Sequence, residues 1–227
     1  MCGRFVQSRS AAELEARFGA SILEDLPAPR YNIAPGTAIL AVRTDPGGAR
    51  QFARLHWGLI PAWAKDRQIG SRTINARAET VAEKPSFRAA FRQRRCLILA
   101  DGFYEWQATA SGKQPWFITR RDAQPFAFAG LWERWTDPAS GERLDSATII
   151  VTEANALVRP LHDRMPVILS PADEARWLDP SLTKPQPLQA LLTPCDPEPM
   201  IAYPVSRRVN TPTQNDAGLI EPWQTMV

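Results

Sequence analysis

The fold is decided by residues 96–152, which read CLILADGFYEWQATASGKQPWFITRRDAQPFAFAGLWERWTDPASGERLDSATIIVT. Six runs rich in β-branched, aromatic and other apolar residues follow one another here, and clusters of Gly, Pro, Asp and Ser separate them. This alternation is typical of short strands joined by tight turns. The stretch therefore predicts six strands, Cys96–Ala100, Phe103–Gln107, Trp116–Arg120, Phe126–Phe128, Leu131–Thr136 and Ala147–Thr152.

The chain on either side of this stretch adds two strands and a few short helices. The strands are Thr37–Arg43 and Gln51–Trp57, joined by the turn signal Asp45-Pro-Gly-Gly48. The predicted helices run from the capping box Ser10-Ala-Ala-Glu13 to Gly19, from Lys84-Pro85 to Arg92, over Pro171–Leu178 and over Pro187–Leu192. We therefore expect an α+β fold in one domain, residues 1–227, with a mainly antiparallel, barrel-like β-sheet and short peripheral helices.

Composition narrows the class of protein. The sequence has no run of about 18 apolar residues, and its first residues lack the layout of a signal peptide, so we expect a cytoplasmic protein without a membrane span. The three cysteines are odd in number and far apart, and the chain has only two histidines. Neither a disulfide framework nor a zinc site is indicated, and no metal or cofactor is expected.

Charge is unevenly distributed along the chain. Between residues 43 and 95 there are 12 Lys and Arg against 4 Asp and Glu, a local excess of +8, whereas residues 171–227 carry 4 against 7, or −3. A basic half on a nearly neutral protein indicates a polyanionic partner such as nucleic acid. The alternative is an ordinary solvated face, and charge alone does not separate the two.

Cys2 is the first candidate for chemistry. If Met1 is removed, Cys2 carries a free α-amine and a thiol, whose ordinary pKa values are about 7.7 and about 8.5. Such a 1,2-aminothiol condenses with an aldehyde to an imine, and the thiol then closes a five-membered thiazolidine without a cofactor. The alternative is that Met1 is retained and Cys2 is an ordinary second residue.

Three polar residues downstream are further candidates. Asn75 interrupts a run without clear period, Glu105 stands between aromatic residues on a predicted strand, and His162 precedes the apolar run Val167-Ile-Leu. Apolar surroundings raise the pKa of a carboxyl group toward neutrality, which suits Glu105 to proton transfer. Alternatively, Glu105 forms a structural ion pair with an arginine and His162 stabilises a turn.

Aromatic and basic residues are interleaved around these candidates. The loop from Trp57 to Trp63 offers two rings among prolines, and Trp106 offers another beside Glu105. Proteins that bind single-stranded DNA combine a basic groove with rings on which bases stack. For Trp132, Trp135 and Trp177 we expect a place in the core instead.

Seven motifs together resemble the SOS response-associated peptidase family, also called abasic-site processing proteins. They occur in the order of the family and span most of the chain: Met1-Cys-Gly-Arg-Phe5, Tyr31-Asn-Ile-Ala-Pro35, Trp57-Gly-Leu-Ile-Pro61, Asn75-Ala-Arg-Ala-Glu-Thr80, Lys84-Pro-Ser-Phe-Arg88, Asp101-Gly-Phe-Tyr-Glu-Trp106 and His162-Asp-Arg-Met-Pro166.

The resemblance implies a function and residue roles. A family member binds single-stranded DNA that contains an abasic site and crosslinks to the ring-opened sugar through Cys2, which shields the site during the DNA damage response. Asn75 then orients the amine of Cys2, Glu105 transfers protons, and His162 is an acid or base near the sugar. The resemblance also implies DNA contacts by Arg4, Arg77, Arg164, Trp106 and the loop that carries Trp57 and Trp63. No obligate protein partner is inferred.

Two other functions are compatible with the same residues. In the first, Cys2 is the nucleophile of a thiol peptidase or amidase that acts on its own Met1–Cys2 bond, although no oxyanion hole is recognisable in the sequence. In the second, the protein binds single strands without any catalysis. A heat-stable protein–DNA adduct with an aldehyde-bearing strand would distinguish the crosslinking function from both.

Overall fold

The computed structural model describes residues 2–21, 27–45, 47–110 and 112–223. The expected processing of Met1, and residues Pro46 and Ser111 of two predicted turns, lie outside these ranges. In the described ranges the strands are β1 (Phe5–Gln7), β2 (Arg30–Ile33), β3 (Ala38–Thr44), β4 (Arg50–Trp57), β5 (Asn75–Arg77), β6 (Arg95–Ala100), β7 (Gly102–Thr109), β8 (Gly112–Arg120), β9 (Phe126–Thr136), β10 (Arg143–Glu153), β11 (Arg164–Pro166), β12 (Ile168–Leu169) and β13 (Met200–Pro204). The helices are α1 (Ala11–Phe18), α2 (Arg88–Gln93), α3 (Pro171–Leu178) and α4 (Pro185–Gln189), with short 3₁₀ turns at Arg67–Arg72, Arg207–Asn210 and Ala217–Ile220.

Five strands close into a barrel in the order β10-β4-β3-β6-β9, because β9 also pairs with β10. β5 and β11 flank β10 where it extends beyond β4, and β12 lies beside β9. Most of these pairings are antiparallel, but β10 runs parallel to both β4 and β5. The expected α+β fold with a mainly antiparallel, barrel-like sheet and short peripheral helices is therefore confirmed.

The second sheet has the order β13-β8-β7-β1-β2 and packs on the barrel. Alternation along the strands divides the barrel residues between two cores. Ile39 and Ala41 of β3 belong to the core shared with the second sheet, whereas Leu40 and Val42 belong to the core covered by the helices. The first of these cores also contains Cys2, so this candidate residue lies where the two sheets meet.

All four predicted helices form, but only some of them have the predicted bounds. Both halves of the predicted capping box form, since Ser10 accepts from the Glu13 N–H and the Glu13 side chain accepts from the Ser10 N–H, and α3 has the predicted bounds. The helix expected from Pro85 was placed wrongly, because α2 begins at Arg88 after a series of turns. The last helix begins two residues earlier and ends three residues earlier than expected, at Pro185 and Gln189. None of the helices in the described ranges is long and apolar enough to cross a membrane.

One predicted break in the sheet was wrong. The runs 126–128 and 131–136 are a single strand, β9, that continues through Gly130. A Cβ atom at Gly130 would lie 2.8 Å from Ile98 Cδ1 and 2.9 Å from Cys96 Sγ. The glycine therefore permits close packing between neighbouring strands rather than marking a turn.

Candidate functional site

Strand pairing brings Cys2 next to Glu105. β1 runs antiparallel to β7 with Phe5 opposite Phe103, and one step further the Tyr104 N–H donates to the Arg4 carbonyl at 3.0 Å. Glu105, the next residue of β7, faces the segment that begins with Cys2, and its charge acts on the Cys2 thiol. The thiol is 0% exposed and accepts a hydrogen bond from the Arg4 N–H. Burial raises the pKa of the Cys2 thiol far above its ordinary range.

Glu105 is a buried carboxyl group that is poised near neutrality. Glu105 is only 2% exposed, and its carboxylate accepts a hydrogen bond from the Trp106 N–H. Burial raises the pKa of Glu105 from 4.5 to about 7, and the negative charge of Asp163 adds to this effect.

His162 is held by a closed loop between β10 and β11. The loop is tied at its ends by a hydrogen bond from the Ala154 N–H to the Asp163 carbonyl, 3.0 Å long. Within it, the Asn155 side chain accepts from the backbone of Leu157 and Val158. The His162 N–H donates to the Val158 carbonyl at 3.0 Å. The imidazole is therefore presented from a rigid turn, with its side chain 32% exposed.

The hydrogen bonds of His162 determine which ring nitrogen carries the proton. Nδ1 lies 3.0 Å from the Arg164 backbone nitrogen and 2.8 Å from Asp163 Oδ1. One nitrogen cannot accept from the first and donate to the second, and a backbone N–H can only donate. Burial also lowers the pKa of His162, which favours the neutral ring. In a neutral ring that accepts the Arg164 N–H at Nδ1, the proton is on Nε2.

A cavity of about 420 Å³ joins Glu105 and His162 to residues that the sequence did not single out. It is lined by Arg4, Glu105, Trp106, Lys113, His162 and Asn210. Four of these were predicted from the sequence, whereas Lys113 and Asn210 were missed. Lys113 ends the run Ala110-Ser-Gly-Lys113, which predicts only a turn between two strands, and Asn210 had no motif around it. The volume of the cavity is typical of a site for a small ligand.

Two of the predicted DNA contacts are held by hydrogen bonds within the protein. Arg4 Nη1 donates to Asn32 Oδ1 at 2.8 Å and to the Val209 carbonyl at 2.9 Å. Trp106 Nε1 donates to Asn210 Oδ1 at 2.8 Å, which fixes the indole at the edge of the cavity. Asn210 is therefore a positioning residue for the Trp106 ring.

Asn75 begins β5 and lies opposite Ile149 of β10, a member of the same buried core as Cys2. Its Nδ2 donates to the Ile74 carbonyl at 3.1 Å. The same carbonyl also accepts from the Trp57 indole and from the Ile149 N–H. Asn75 Oδ1 is buried, and no donor within the described ranges reaches it. Such an acceptor costs free energy unless a ligand or another group supplies a donor.

The arginines Arg77 and Arg164 lie on the two strands that flank β10. Arg77 is opposite Val151 on one side, and Arg164 is opposite Glu153 on the other. Arg77 is exposed, whereas Arg164 is half-buried and forms an ion pair with Glu79. The Arg164 N–H is also the donor to the His162 ring, so this basic pair is adjacent to the cavity.

The structure corrects the expectation for Trp57 and separates Trp63 from the cavity. Trp57 is the last residue of β4 and is 0% exposed; its indole donates to the Ile74 carbonyl, and its ring packs edge-on against Phe5. It cannot stack on a base. Trp63 is 60% exposed and lines a different cleft of about 530 Å³ with Lys65 and Arg72.

Comparison with known proteins gives a consistent assignment. Residues 1–212 match the family described as SOS response associated peptidase (SRAP). The abasic site processing protein YoqW of Bacillus subtilis (strain 168) is 46% identical over 226 residues, which cover 97% of this chain and 99% of that protein. The abasic site processing protein YedK of Escherichia coli (strain K12) is 31% identical over 228 residues, covering 98% of this chain and 100% of that protein.

A solved structure extends the agreement to the fold. The crystal structure of a protein from Bacteroides thetaiotaomicron has a TM-score of 0.89 at 30% identity, covering 98% of this chain and 100% of that chain. Sequence similarity and fold similarity thus extend over nearly the whole chain, and this protein belongs to the SOS response associated peptidase family.

Proposed function

We propose that this protein processes abasic sites in single-stranded DNA by forming a thiazolidine crosslink between Cys2, freed of Met1, and the ring-opened sugar. The names of the relatives support a role in abasic-site processing. The observation that carries the chemistry is the cluster formed by Cys2, Glu105 and His162. An aminothiol is here accompanied by a carboxyl group with a pKa of about 7 and a neutral imidazole.

The reaction begins with the sugar. An abasic deoxyribose is mostly a closed hemiacetal. As it opens, the ring oxygen gains a proton from water and the anomeric hydroxyl loses one to water. His162 is suited to assist this step as a hydrogen-bond donor to the ring oxygen through Nε2, while Nδ1 accepts from the Arg164 N–H. The neutral amine of Cys2 then attacks the aldehyde carbon, and a proton moves from nitrogen to oxygen. The product is a carbinolamine.

Glu105 serves both remaining steps. Its protonated form gives a proton to the carbinolamine hydroxyl, which leaves as water, so that an iminium remains. The thiol sulfur attacks the iminium carbon while its proton passes to the Glu105 carboxylate. One water is lost in total, and Glu105 is protonated again at the end. A carboxyl group with a pKa near the working pH is well matched to giving and taking a proton in turn.

Asn75 is suited to holding the attacking nitrogen. Its buried Oδ1 lacks a donor in the described ranges, and an amine with two hydrogens can supply one. The Nδ2 group is fixed on the Ile74 carbonyl, which keeps Oδ1 pointing away from that carbonyl. On this proposal the free α-amine satisfies an acceptor that would otherwise be orphaned, and the bond orients its lone pair.

The DNA strand is proposed to follow β10 past the cavity. Asn75 and Arg77 lie opposite Ile149 and Val151 on one side of this strand, and Arg164 lies opposite Glu153 on the other side. Arginine contacts to phosphates give affinity without sequence preference, which suits a lesion that can occur in any sequence. Trp106, fixed by Asn210 at the cavity edge, is suited to stack on a neighbouring base.

The burial of Cys2 disfavours the alternative of a thiol peptidase. Such an enzyme needs a thiolate, and its cysteine has a lowered pKa near a positive charge or a base. Burial raises the pKa of Cys2, and the nearby carboxyl group of Glu105 acts in the same direction. The proposed crosslinking reaction begins at the amine, and the thiol reacts only with the iminium. It therefore does not need a thiolate before the substrate binds.

The test is intact mass spectrometry of the purified protein with a single-stranded oligonucleotide that carries one abasic aldehyde. We expect the protein to have lost Met1 and to form an adduct that survives heating, with the mass of both components less one water. Cys2→Ala should form no stable adduct while it still binds the strand. A strand with a tetrahydrofuran abasic analogue, which has no aldehyde, is the matched control and should give no adduct with the wild type.

Two outcomes would overturn the proposal. Full adduct formation by Cys2→Ala would exclude the thiol as the closing nucleophile. Absence of any adduct from Met1-free protein, with unchanged binding to intact and abasic strands, would instead support the non-catalytic binding function.

A further inference from the structure

We infer that Lys113, which lines the cavity, binds a phosphate next to the abasic nucleotide and so adds a basic contact to those of Arg77 and Arg164 outside the cavity. This inference rests on the proposed function, because it assumes that a DNA strand enters the cavity. It adds a substrate-binding residue that neither the family motifs nor the charge distribution indicated.

The β7–β8 hairpin positions Lys113. Register pairing sets Glu105 opposite Trp116 and continues to Ala108 opposite Lys113, near the tip of the hairpin. Because side chains alternate along a strand, Lys113 is on the face of the hairpin that carries Trp106, with an exposed side chain, whereas Glu105 is on the other face. Both residues line the cavity, together with His162.

Among the cations that line the cavity, Lys113 is the one available for a ligand. The Arg4 guanidinium is half-buried and donates to Asn32 and to the Val209 carbonyl. Lys113 takes part in none of the ion pairs found among the described residues. An anion that enters the cavity can therefore bind Lys113 without first breaking an internal ion pair.

One acidic residue lines the cavity and a second lies beside His162. Glu105 lines it, and Asp163 is 84% exposed beside His162. A phosphate that approaches His162 is repelled by these carboxyl groups, and Lys113 offsets the repulsion from the hairpin side. His162 lies between the two basic contacts, because its ring accepts a hydrogen bond from the Arg164 N–H and is close enough to Lys113 to feel its positive charge.

The experiment measures binding of single strands with a central tetrahydrofuran analogue, so that no crosslink forms. Dissociation constants are determined by fluorescence anisotropy from about 50 to about 200 mM salt for the wild type, Lys113→Gln, Lys113→Arg and Lys184→Gln. Lys184→Gln is the matched control, because it removes the same charge at an exposed position outside the cavity. We expect Lys113→Gln to reduce the log–log salt slope by about 0.7 and to weaken binding about five-fold near ~0.1 M salt. Lys113→Arg and Lys184→Gln should retain the wild-type slope.

The phosphate is identified by replacing one flanking phosphate at a time with an uncharged methylphosphonate. If Lys113 binds that phosphate, the replacement weakens wild-type binding but has no further effect on Lys113→Gln, so the two changes are not additive. Additive effects at both flanking phosphates, or a Lys113→Gln slope equal to that of Lys184→Gln, would refute the inference. These results leave adduct formation by the wild type intact, whereas failure of the wild type to form an adduct would refute the proposed function itself.

Discussion

Replacing Glu105 by glutamine should make the protein more stable than the wild type at high pH. The same change should slow the proposed crosslinking reaction. The carboxyl group is buried, and burial raises its pKa from 4.5 to about 7. Between these two pH values the native carboxyl group keeps a proton that the unfolded chain has lost. The native state therefore becomes less stable as the pH rises through this window, and above about 7 it carries the full cost of a buried charge.

The size of the effect follows from the pKa. At about 1.4 kcal/mol per pH unit, the interval from 4.5 to about 7 corresponds to a cost of about 3 kcal/mol. Glu105→Gln removes this cost, because an amide does not ionise. We expect the free energy of unfolding of the variant, relative to the wild type, to rise by about 3 kcal/mol between pH ~4.5 and pH ~8. Any loss from an imperfectly bonded amide is the same at every pH and cancels in this comparison.

The assay is urea unfolding followed by tryptophan fluorescence for both proteins over that pH range. In parallel, the variant should crosslink more slowly by about 10²–10⁴-fold, the usual contribution of a positioned acid or base. A stability difference that does not change with pH would refute the argument that Glu105 is a buried carboxyl group with a raised pKa. Unchanged crosslinking kinetics would remove it from the mechanism.

Three further variants test separate parts of the argument. Arg77→Ala should flatten the salt dependence of single-strand binding by about 0.7 in the log–log slope, measured by fluorescence anisotropy. Trp106→Ala should weaken binding by about 1–3 kcal/mol with little change in that slope, since a stacked base releases no counterion. Gly58→Ala should destabilise the fold by about 2 kcal/mol or more in urea unfolding, because Gly58 has φ +133° and an added Cβ would lie 2.6 Å from the Gly70 carbonyl oxygen. Wild-type stability for Gly58→Ala would contradict the geometry of this contact.

Local signals in the sequence were sufficient for the long strands and the well-capped helices. The turn after β3 and the apolar runs on either side predicted the β3–β4 hairpin, which forms with Val42 opposite Phe52. The capping box predicted α1 for an equally local reason. By contrast, β1 and β5 have three residues each and exist only because distant strands pair with them. No period can be recognised in so few residues, and these are the strands that carry Cys2 to Glu105 and Asn75 to the same core.

The tryptophans show where residue type misleads. Trp57 and Trp63 are six positions apart at the two ends of one predicted loop, and both suit base stacking by chemistry alone. Trp57 ends a strand whose register points it into the core, whereas Trp63 lies on the loop that follows and is exposed. Burial depends on register with the partner strands, which a sequence without its fold does not provide. Lys113 and Asn210 were missed for the same reason, since only the hairpin and a 3₁₀ turn bring them to the cavity.

Burial of the nucleophile has a consequence for the order of bond formation. At neutral pH a thiol whose pKa is strongly raised remains protonated, so it neither attacks an aldehyde first nor oxidises readily. On the proposed mechanism the amine must therefore form the first bond, and the thiol reacts only when an iminium carbon lies beside it and Glu105 has just given up its proton. The carboxylate that appears at that moment is the base that the thiol requires. The packing of β1 against β7 buries both Glu105 and Cys2, and this burial raises the pKa of both groups. On the proposed mechanism the thiol can therefore close the ring only after Glu105 has given its proton to the departing water.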